Sequence, residues 1–302
     1  MASHTETEIA SQPECWEQAR DLAPAIAGAL PRHGERVAVV GCGTSWFIGQ
    51  SYAALREAAG LGETDAFAAS EAPLGRRRYD RVLVLSRSGT TTEVLDVLAH
   101  LAGRVPTVAI TAVPGSPVAS AADRVVTLDF ADETSVVQTR FATTQLALLR
   151  AHLGADLTAA VADARRALAA PLPAAITAAG QFTFLGHGWA YGLAQEAALK
   201  MREAAGAWTE AYPAMEYRHG PIAITAPGRV TWLFGSAPPG LAADVERVGG
   251  TLVCTANEPG GDLDPLADLI RVQRLAVAIA QAAGLDPDQP RNLTRSVILS
   301  QA

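Results

Sequence analysis

Lysine is almost absent from this chain. Of its 302 residues only Lys200 is a lysine, and the remaining cations among 24 basic residues are arginines. Positions that need only a positive charge have gone to arginine, so the one amine marks a place where amine chemistry counts. Lysine is a compact ammonium that exchanges its proton readily when buried, whereas a guanidinium effectively never does. Cysteine is scarce too: Cys15, Cys42 and Cys254 are odd in number and widely spaced. That excludes a disulfide framework and a cysteine metal cluster, and it suggests a reducing compartment. Basic charge is in deficit, with a net charge of −7 and a pI near 5.4. Nucleic acid and anionic membranes are therefore poor partners, and a substrate phosphate must be held by local donors. Long apolar runs are missing, so no bilayer span is expected. The opening MASHTETEIASQPE is polar and acidic, unlike a signal peptide. What is present is 49% apolar residues with only 18% charged, enough for a substantial core. The expectation is a cytoplasmic globular protein without cofactor or metal.

The chain repeats itself once. Residues 36–60 read as a buried strand, a Gly-rich turn and an amphipathic helix, and residues 181–206 repeat that plan. A Gly-x-Gly stands at 41–43 and again at 186–188. Further strands are expected at 82–86, 107–111 and 124–130, then at 230–235 and 250–256, with helices at 90–103, 240–250 and 266–283 between and after them. Strands alternating with helices of this length give βαβ units and parallel sheets. The predicted fold is α/β, with two tandem doubly wound subdomains, each a parallel sheet flanked by helices. The expected domains are 1–165 and 166–302, joined by a long helical region over 139–170.

Two clusters carry chemistry. After the strand at 82–86 comes Ser86-Arg87-Ser88-Gly89-Thr90-Thr91-Thr92-Glu93, opening a helix. A helix start at the carboxyl end of a parallel strand offers free N–H groups and a positive dipole end to an anion. Ser86, Ser88 and Thr91 add hydroxyls, and Gly89 lets the backbone come close. The Gly-Lys-Ser/Thr ending of a P-loop is absent. Gly41-Cys42-Gly43-Thr44-Ser45 is a second such turn, with Thr44 and Ser45 as candidates. In the second half, Glu196, Lys200 and Glu203 fall on one face of a helix, and a His-Gly-Pro turn follows at His219. The halves have diverged: the second lacks the hydroxyl cluster, and the first lacks the Lys/Glu set. Taken alone, Lys200 and Glu203 could equally be a solvated i,i+3 pair and His219 a turn residue. Glu196 and Glu210 read as either structural or functional, and His187 as a further candidate for substrate contact. Trp46, Trp189 and Trp208 are expected to be packing residues.

Together CGTS at 42–45, SRSGTT at 86–91, VPGSP at 113–117, TRFATTQL at 139–146, ALKMRE, HGP and DPDQPRNLTRSV resemble the SIS (sugar isomerase) family. The likeness runs over residues 36–302 and is nearest to the isomerase half of glutamine:fructose-6-phosphate amidotransferases. The resemblance implies that Thr44, Ser45, Ser86, Ser88 and Thr91 hold a sugar 6-phosphate. It implies that Glu203 moves a proton between carbons 1 and 2 beside Lys200, and that His219 assists ring opening from a neighbouring subunit, hence a homodimer with a composite site. Glu133 and Val136–Val137 match the segment lining the sugar pocket. Three departures stand out. No glutaminase segment precedes residue 36, so a glutamine-independent reaction is expected. Arg87 replaces the family's Gln and is expected to reach phosphate or sugar. Arg295 replaces a lysine that contacts the open-chain sugar; a guanidinium holds an oxygen but forms no imine.

Abstraction of the carbon-2 proton by Glu203, with Lys200 stabilising the oxyanion, leads to several outcomes. Reprotonation at carbon 1 is isomerisation. With a 2-amino sugar, loss of ammonia makes it deamination; with an N-acetylated sugar, loss of the carbon-3 hydroxyl makes it dehydration. The substrate class is a hexose or hexosamine 6-phosphate. A non-catalytic sugar-phosphate sensor is the reading of another class, and the Lys200–Glu203 pair counts against it.

Overall fold

A computed structural model describes residues 2–257 and 261–299. In chain order the elements are α1 (His4–Ala10), α2 (Gln12–Ile26), β1 (Val37–Gly41), α3 (Thr44–Ala58), β2 (Thr64–Ala68), β3 (Arg81–Leu85), α4 (Thr92–Leu101), β4 (Thr107–Thr111), α5 (Pro117–Ala121), β5 (Arg124–Thr127), α6 (Arg140–His152), α7 (Thr158–Ala169), α8 (Ala174–Thr177), β6 (Gln181–Gly186), α9 (Ala190–Ala205), β7 (Thr209–Pro213), β8 (Arg229–Phe234), α10 (Leu241–Arg247), β9 (Thr251–Cys254) and α11 (Pro265–Ala282). Two sheets result, ordered β2-β1-β3-β4-β5 and β7-β6-β8-β9, with every pairing parallel. The α/β fold with two parallel sheets flanked by helices is thus as the sequence implies.

By contacts the chain divides into two units. One comprises Glu14–Leu157 with the C-terminal tail from Thr294; the other comprises the N-terminal residues up to Pro13 with Thr158–Leu293. The division therefore falls before α7, whereas the expected boundary at 165/166 lies inside that helix. The helical region over 139–170 is broken because Gly154 takes φ +89°, a left-handed value that ends α6 and that glycine adopts without strain.

In the first sheet the three inner strands β1, β3 and β4 are buried at every position, as near-continuous Val/Leu/Ile runs covered on both faces must be. β2 and β7, which the sequence pattern did not give, each lie at one edge of their sheet, with β5 and β9 at the opposite edges. Each has one neighbour and a mostly half-exposed pattern, so apolar runs do not mark them. Pro213 is tolerated at the end of β7 because an edge strand can spare a donor.

The repeat is visible in its glycines. A Cβ on Gly41 would lie 2.7 Å from Ser45 Cβ, and one on Gly186 would lie 2.2 Å from the Ala190 carbonyl oxygen. In each unit the first strand of the repeat turns into its helix so closely that only glycine fits there. In each sheet the strand order also reverses beside that strand, between β1 and β3 and between β6 and β8. Such switch points are where doubly wound sheets hold ligands, outside the carboxyl ends of the strands.

Candidate active site

Residues 86–91, the candidate anion loop, leave the carboxyl end of β3 and enter α4. Gly89 has φ +65°, and a Cβ there would be 2.1 Å from Ser116 Oγ, so the loop is folded tightly onto the start of α5. Ser88 Oγ accepts from the Thr90 N–H at 3.3 Å and from the Thr90 hydroxyl at 3.1 Å. Ser86 Oγ is buried and has no hydrogen-bond partner among the described residues. A buried hydroxyl left unpaired costs free energy, and such exceptions mark places where a ligand or water completes the set. Thr91, at the N-cap of α4, makes no capping bond with its side chain. Thr44 and Ser45, both buried, form the first turn of α3 after β1, the neighbour of β3 in the sheet. Burial, with a smaller contribution from the Glu93 carboxylate, pushes the Cys42 thiol in that turn up to about 11, which keeps it protonated and unreactive at neutral pH.

Arg87, expected to reach phosphate or sugar, makes its contacts here with protein groups. Its side chain is 1% exposed and ion-paired with Glu133 at 3.3 Å. Nη1 also donates to the Ser135 carbonyl at 3.0 Å, and Nη2 donates to the carbonyls of Val136 at 3.0 Å and Arg295 at 3.3 Å. Arg295 is likewise directed at protein: it donates to the Glu133 carbonyl and pairs with Asp132. Val137 is buried, and its carbonyl accepts from the Ser135 hydroxyl at 2.9 Å. The tail continues onto the start of α4. Thr91 and Ser296 share a hydroxyl contact of 3.3 Å, the Thr92 N–H donates to the Val297 carbonyl at 3.2 Å, and the Leu299 N–H donates to the Thr92 hydroxyl at 2.9 Å. Asp132 and Ser296 were not picked out by sequence reasoning. They are far apart in the chain, and no motif spacing signals a tail that folds back onto a loop.

In the other unit, α9 carries the carboxylate–amine set. Lys200 Nζ donates to Glu203 and lies 3.5 Å from Glu196 Oε1. The Lys200 and Glu196 side chains are 1% and 0% exposed, while that of Glu203 is 19% exposed. The three positions fall on one helix face, with the outermost member open. Glu203 lines a cavity of about 430 Å³ together with Arg202, Asp286, Gln289, Arg291 and Asn292. Asn292 takes φ 62°, the one non-glycine residue with positive φ among those described. Asparagine is among the few residues that accept this conformation.

His219 ends a 3-10 turn (Glu216–His219) and is exposed. Among the described residues no hydrogen bond or ion pair joins it to Lys200 or Glu203, and it does not line the Glu203 cavity. His187 is exposed and lines a separate cavity of about 440 Å³ at the ends of β6 and β8. Glu210 accepts from the Tyr212 hydroxyl at 3.1 Å, outside the carboxylate–amine set. Trp208, expected to pack, is instead 74% exposed. Among the described residues no group of His, Cys, Asp or Glu is placed to hold a metal, and no helix is long and apolar enough to cross a membrane.

Residues 32–154 match the SIS domain family. A glutamine–fructose-6-phosphate aminotransferase (isomerizing) of Aeropyrum pernix is 30% identical over 94% of this chain and 56% of its own length. The chain spans about half the length of the curated relatives it matches. Among solved structures, the glucosamine-6-phosphate deaminase of Thermotoga maritima superposes with a TM-score of 0.81 at 24% identity, covering 98% of this chain and 100% of that one. The tagatose-6-phosphate ketose/aldose isomerase of Escherichia coli gives 0.82 at 18% identity, covering 97% of each chain. At these identities the structural likeness concerns the fold.

Proposed function

We propose, from the match of residues 32–154 to the SIS domain family, that the chain is a phosphosugar enzyme acting on a hexosamine 6-phosphate, converting glucosamine 6-phosphate to fructose 6-phosphate and ammonia. The observation that carries this reading is Lys200. A buried ammonium that touches two carboxylates, one of them open to a cavity, is costly to build as a structural pair. It is well suited to moving a proton next to developing negative charge.

The proposed roles follow from the chemistry. The hydroxyls of Ser86, Ser88 and Thr91, with Thr44 and Ser45 and the first N–H groups of α4, take the phosphate. Glu203 removes the proton from carbon 2 of the open-chain aldehyde, and the electron pair of that C–H bond moves toward the carbon-1 oxygen. Lys200 faces the resulting oxyanion as a cation. Return of the proton to carbon 1 leaves an imine at carbon 2, and water then releases ammonia and the ketose. A positioned carboxylate base of this kind contributes on the order of 10²–10⁴-fold. His219, exposed on its turn, is assigned to ring opening in the site of a second copy of the chain.

The test is product analysis by NMR with glucosamine 6-phosphate and N-acetylglucosamine 6-phosphate offered separately. Fructose 6-phosphate and ammonia from the first are expected. A vinylic proton signal from the second, with no ammonia from the first, would instead make the protein a dehydratase; no product from either would overturn both.

A further inference from the structure

We propose that Arg87 and Arg295 are positioning residues that lock the C-terminal tail, residues 294–299, onto the anion loop and thereby set the loop's affinity for phosphate. The contacts form a closed circuit within one unit. Arg87 stands in the anion loop between Ser86 and Ser88, and its guanidinium reaches the Glu133 carboxylate, the carbonyls at 135 and 136, and the tail carbonyl of Arg295. One side chain ties together three pieces of chain, which a fork of several fixed N–H donors can do and a single ammonium cannot. Arg295 returns the contact, holding the Glu133 carbonyl and the Asp132 carboxylate. The next residues of the tail pair with Thr91 and Thr92, where the loop becomes helix.

Apolar burial does not explain why the tail sits there. Val297, Ile298 and Leu299 remain 53%, 69% and 57% exposed, so little hydrophobic free energy comes from docking. Polar contacts hold it, and the two arginines supply most of those that involve charge. The loop that they brace keeps Ser86 Oγ buried and without a partner, a donor held ready at fixed geometry. Loss of the tail contacts would free Thr91 and Thr92 and let the loop relax toward pairing its own hydroxyls.

This inference rests on the phosphosugar reading only for its kinetic arm. The first arm needs no substrate: hydrogen exchange of the 294–299 segment in the full chain, wild type against Asp132→Asn, Arg87→Gln and Arg87→Lys. Asp132→Asn removes a half-exposed partner and leaves the core intact, so it remains informative should Arg87→Gln fold poorly. Tail exchange about three- to tenfold faster is expected in Asp132→Asn and Arg87→Gln, the scale of one or two lost charge-assisted bonds. Arg87→Lys keeps a charge beside Glu133 and so retains thermal stability, yet it too should lose tail protection. The second arm is binding of inorganic phosphate by calorimetry, expected to weaken several-fold in the same variants; with glucosamine 6-phosphate, KM should rise more than kcat falls. Unchanged tail exchange in Asp132→Asn and Arg87→Gln would overturn the proposal, as would wild-type tail protection in Arg87→Lys. Faster exchange with unchanged phosphate affinity would overturn its functional half. A protein that binds phosphate as predicted but turns over no sugar refutes the reaction and leaves the lock standing.

Discussion

Lys200 illustrates how unequal the three members of one side-chain set are. Glu196 is wholly buried and Glu203 is partly open, so removal of the cation between them harms the protein in two ways. Lys200→Met removes one partner of a buried ion pair, a change that typically costs about 3–5 kcal/mol. A lower melting temperature and lost turnover are both expected, read by calorimetry and by ammonia release. Glu203→Gln keeps the shape and the hydrogen-bonding reach of the side chain at a partly exposed position. It should fold with nearly wild-type stability while kcat falls by about 10²–10⁴-fold, the contribution of a positioned base. Equal losses of stability in the two variants would assign the set a structural role. The i, i+4, i+7 spacing of this set is readable from sequence because a helix imposes it. The work done by Arg87 is not, since its partners lie in other segments and the Ser-Arg-Ser context suggests a ligand instead.

At the scale of elements, strand ends and helix starts carry the site, and glycine decides how closely they meet. Gly89→Ala places a methyl on a left-handed residue and against Ser116 Oγ. A cost of about 1–3 kcal/mol and loss of phosphate affinity are expected, measured by denaturant unfolding and calorimetry. The base of the same unit is held by a charged pair. Arg81 at the start of β3 grips both oxygens of Glu35 at 2.8 and 2.7 Å, and the Arg32 N–H adds a third bond at 2.8 Å. The hydrogen bond from Arg81 holds the Glu35 carboxyl below the ordinary glutamate range. A group depressed in the folded state binds its proton more readily when unfolded, so its stabilisation is fully present above the unfolded value. That stabilisation is lost as pH falls through the folded one. Wild type should therefore lose more stability than Glu35→Gln between about pH 5 and pH 3, a difference visible in melting temperatures across that window. The buried strands were legible because both-face burial writes continuous apolar runs. β2 and β7 were not, because TDAFA and TEAYP, with Asp65 or Glu210 inside and all but the first residue half-exposed, write no continuous apolar run.

For the whole molecule, sequence order and spatial grouping part company at both ends. The N-terminal helices were invisible to the repeat pattern because they belong to neither copy of it. α1 groups with the later unit, where Asp288 accepts from the N–H groups of His4 and Thr5 at 2.8 and 2.7 Å and from the Thr5 hydroxyl at 2.6 Å. Gln12 adds a buried bond of 2.7 Å to Gln273 of α11. The tail from Thr294 groups with the earlier unit. A split at residue 157 therefore separates each unit from a piece it needs. Deletion of residues 2–13 should lower the stability of the unit that contains β6–β9, seen as faster hydrogen exchange in α11, while exchange in β1 and β3 stays unchanged.

Central to the account is the removal of the carbon-2 proton by Glu203. Glucosamine 6-phosphate incubated with the protein in heavy water, followed by proton NMR, reads that step directly. Deuterium should enter at carbon 2 of recovered substrate or at carbon 1 of product with the wild type, and at no detectable rate with Glu203→Gln. Exchange undiminished in Glu203→Gln, or absent in the wild type with every hexosamine 6-phosphate offered, would contradict it.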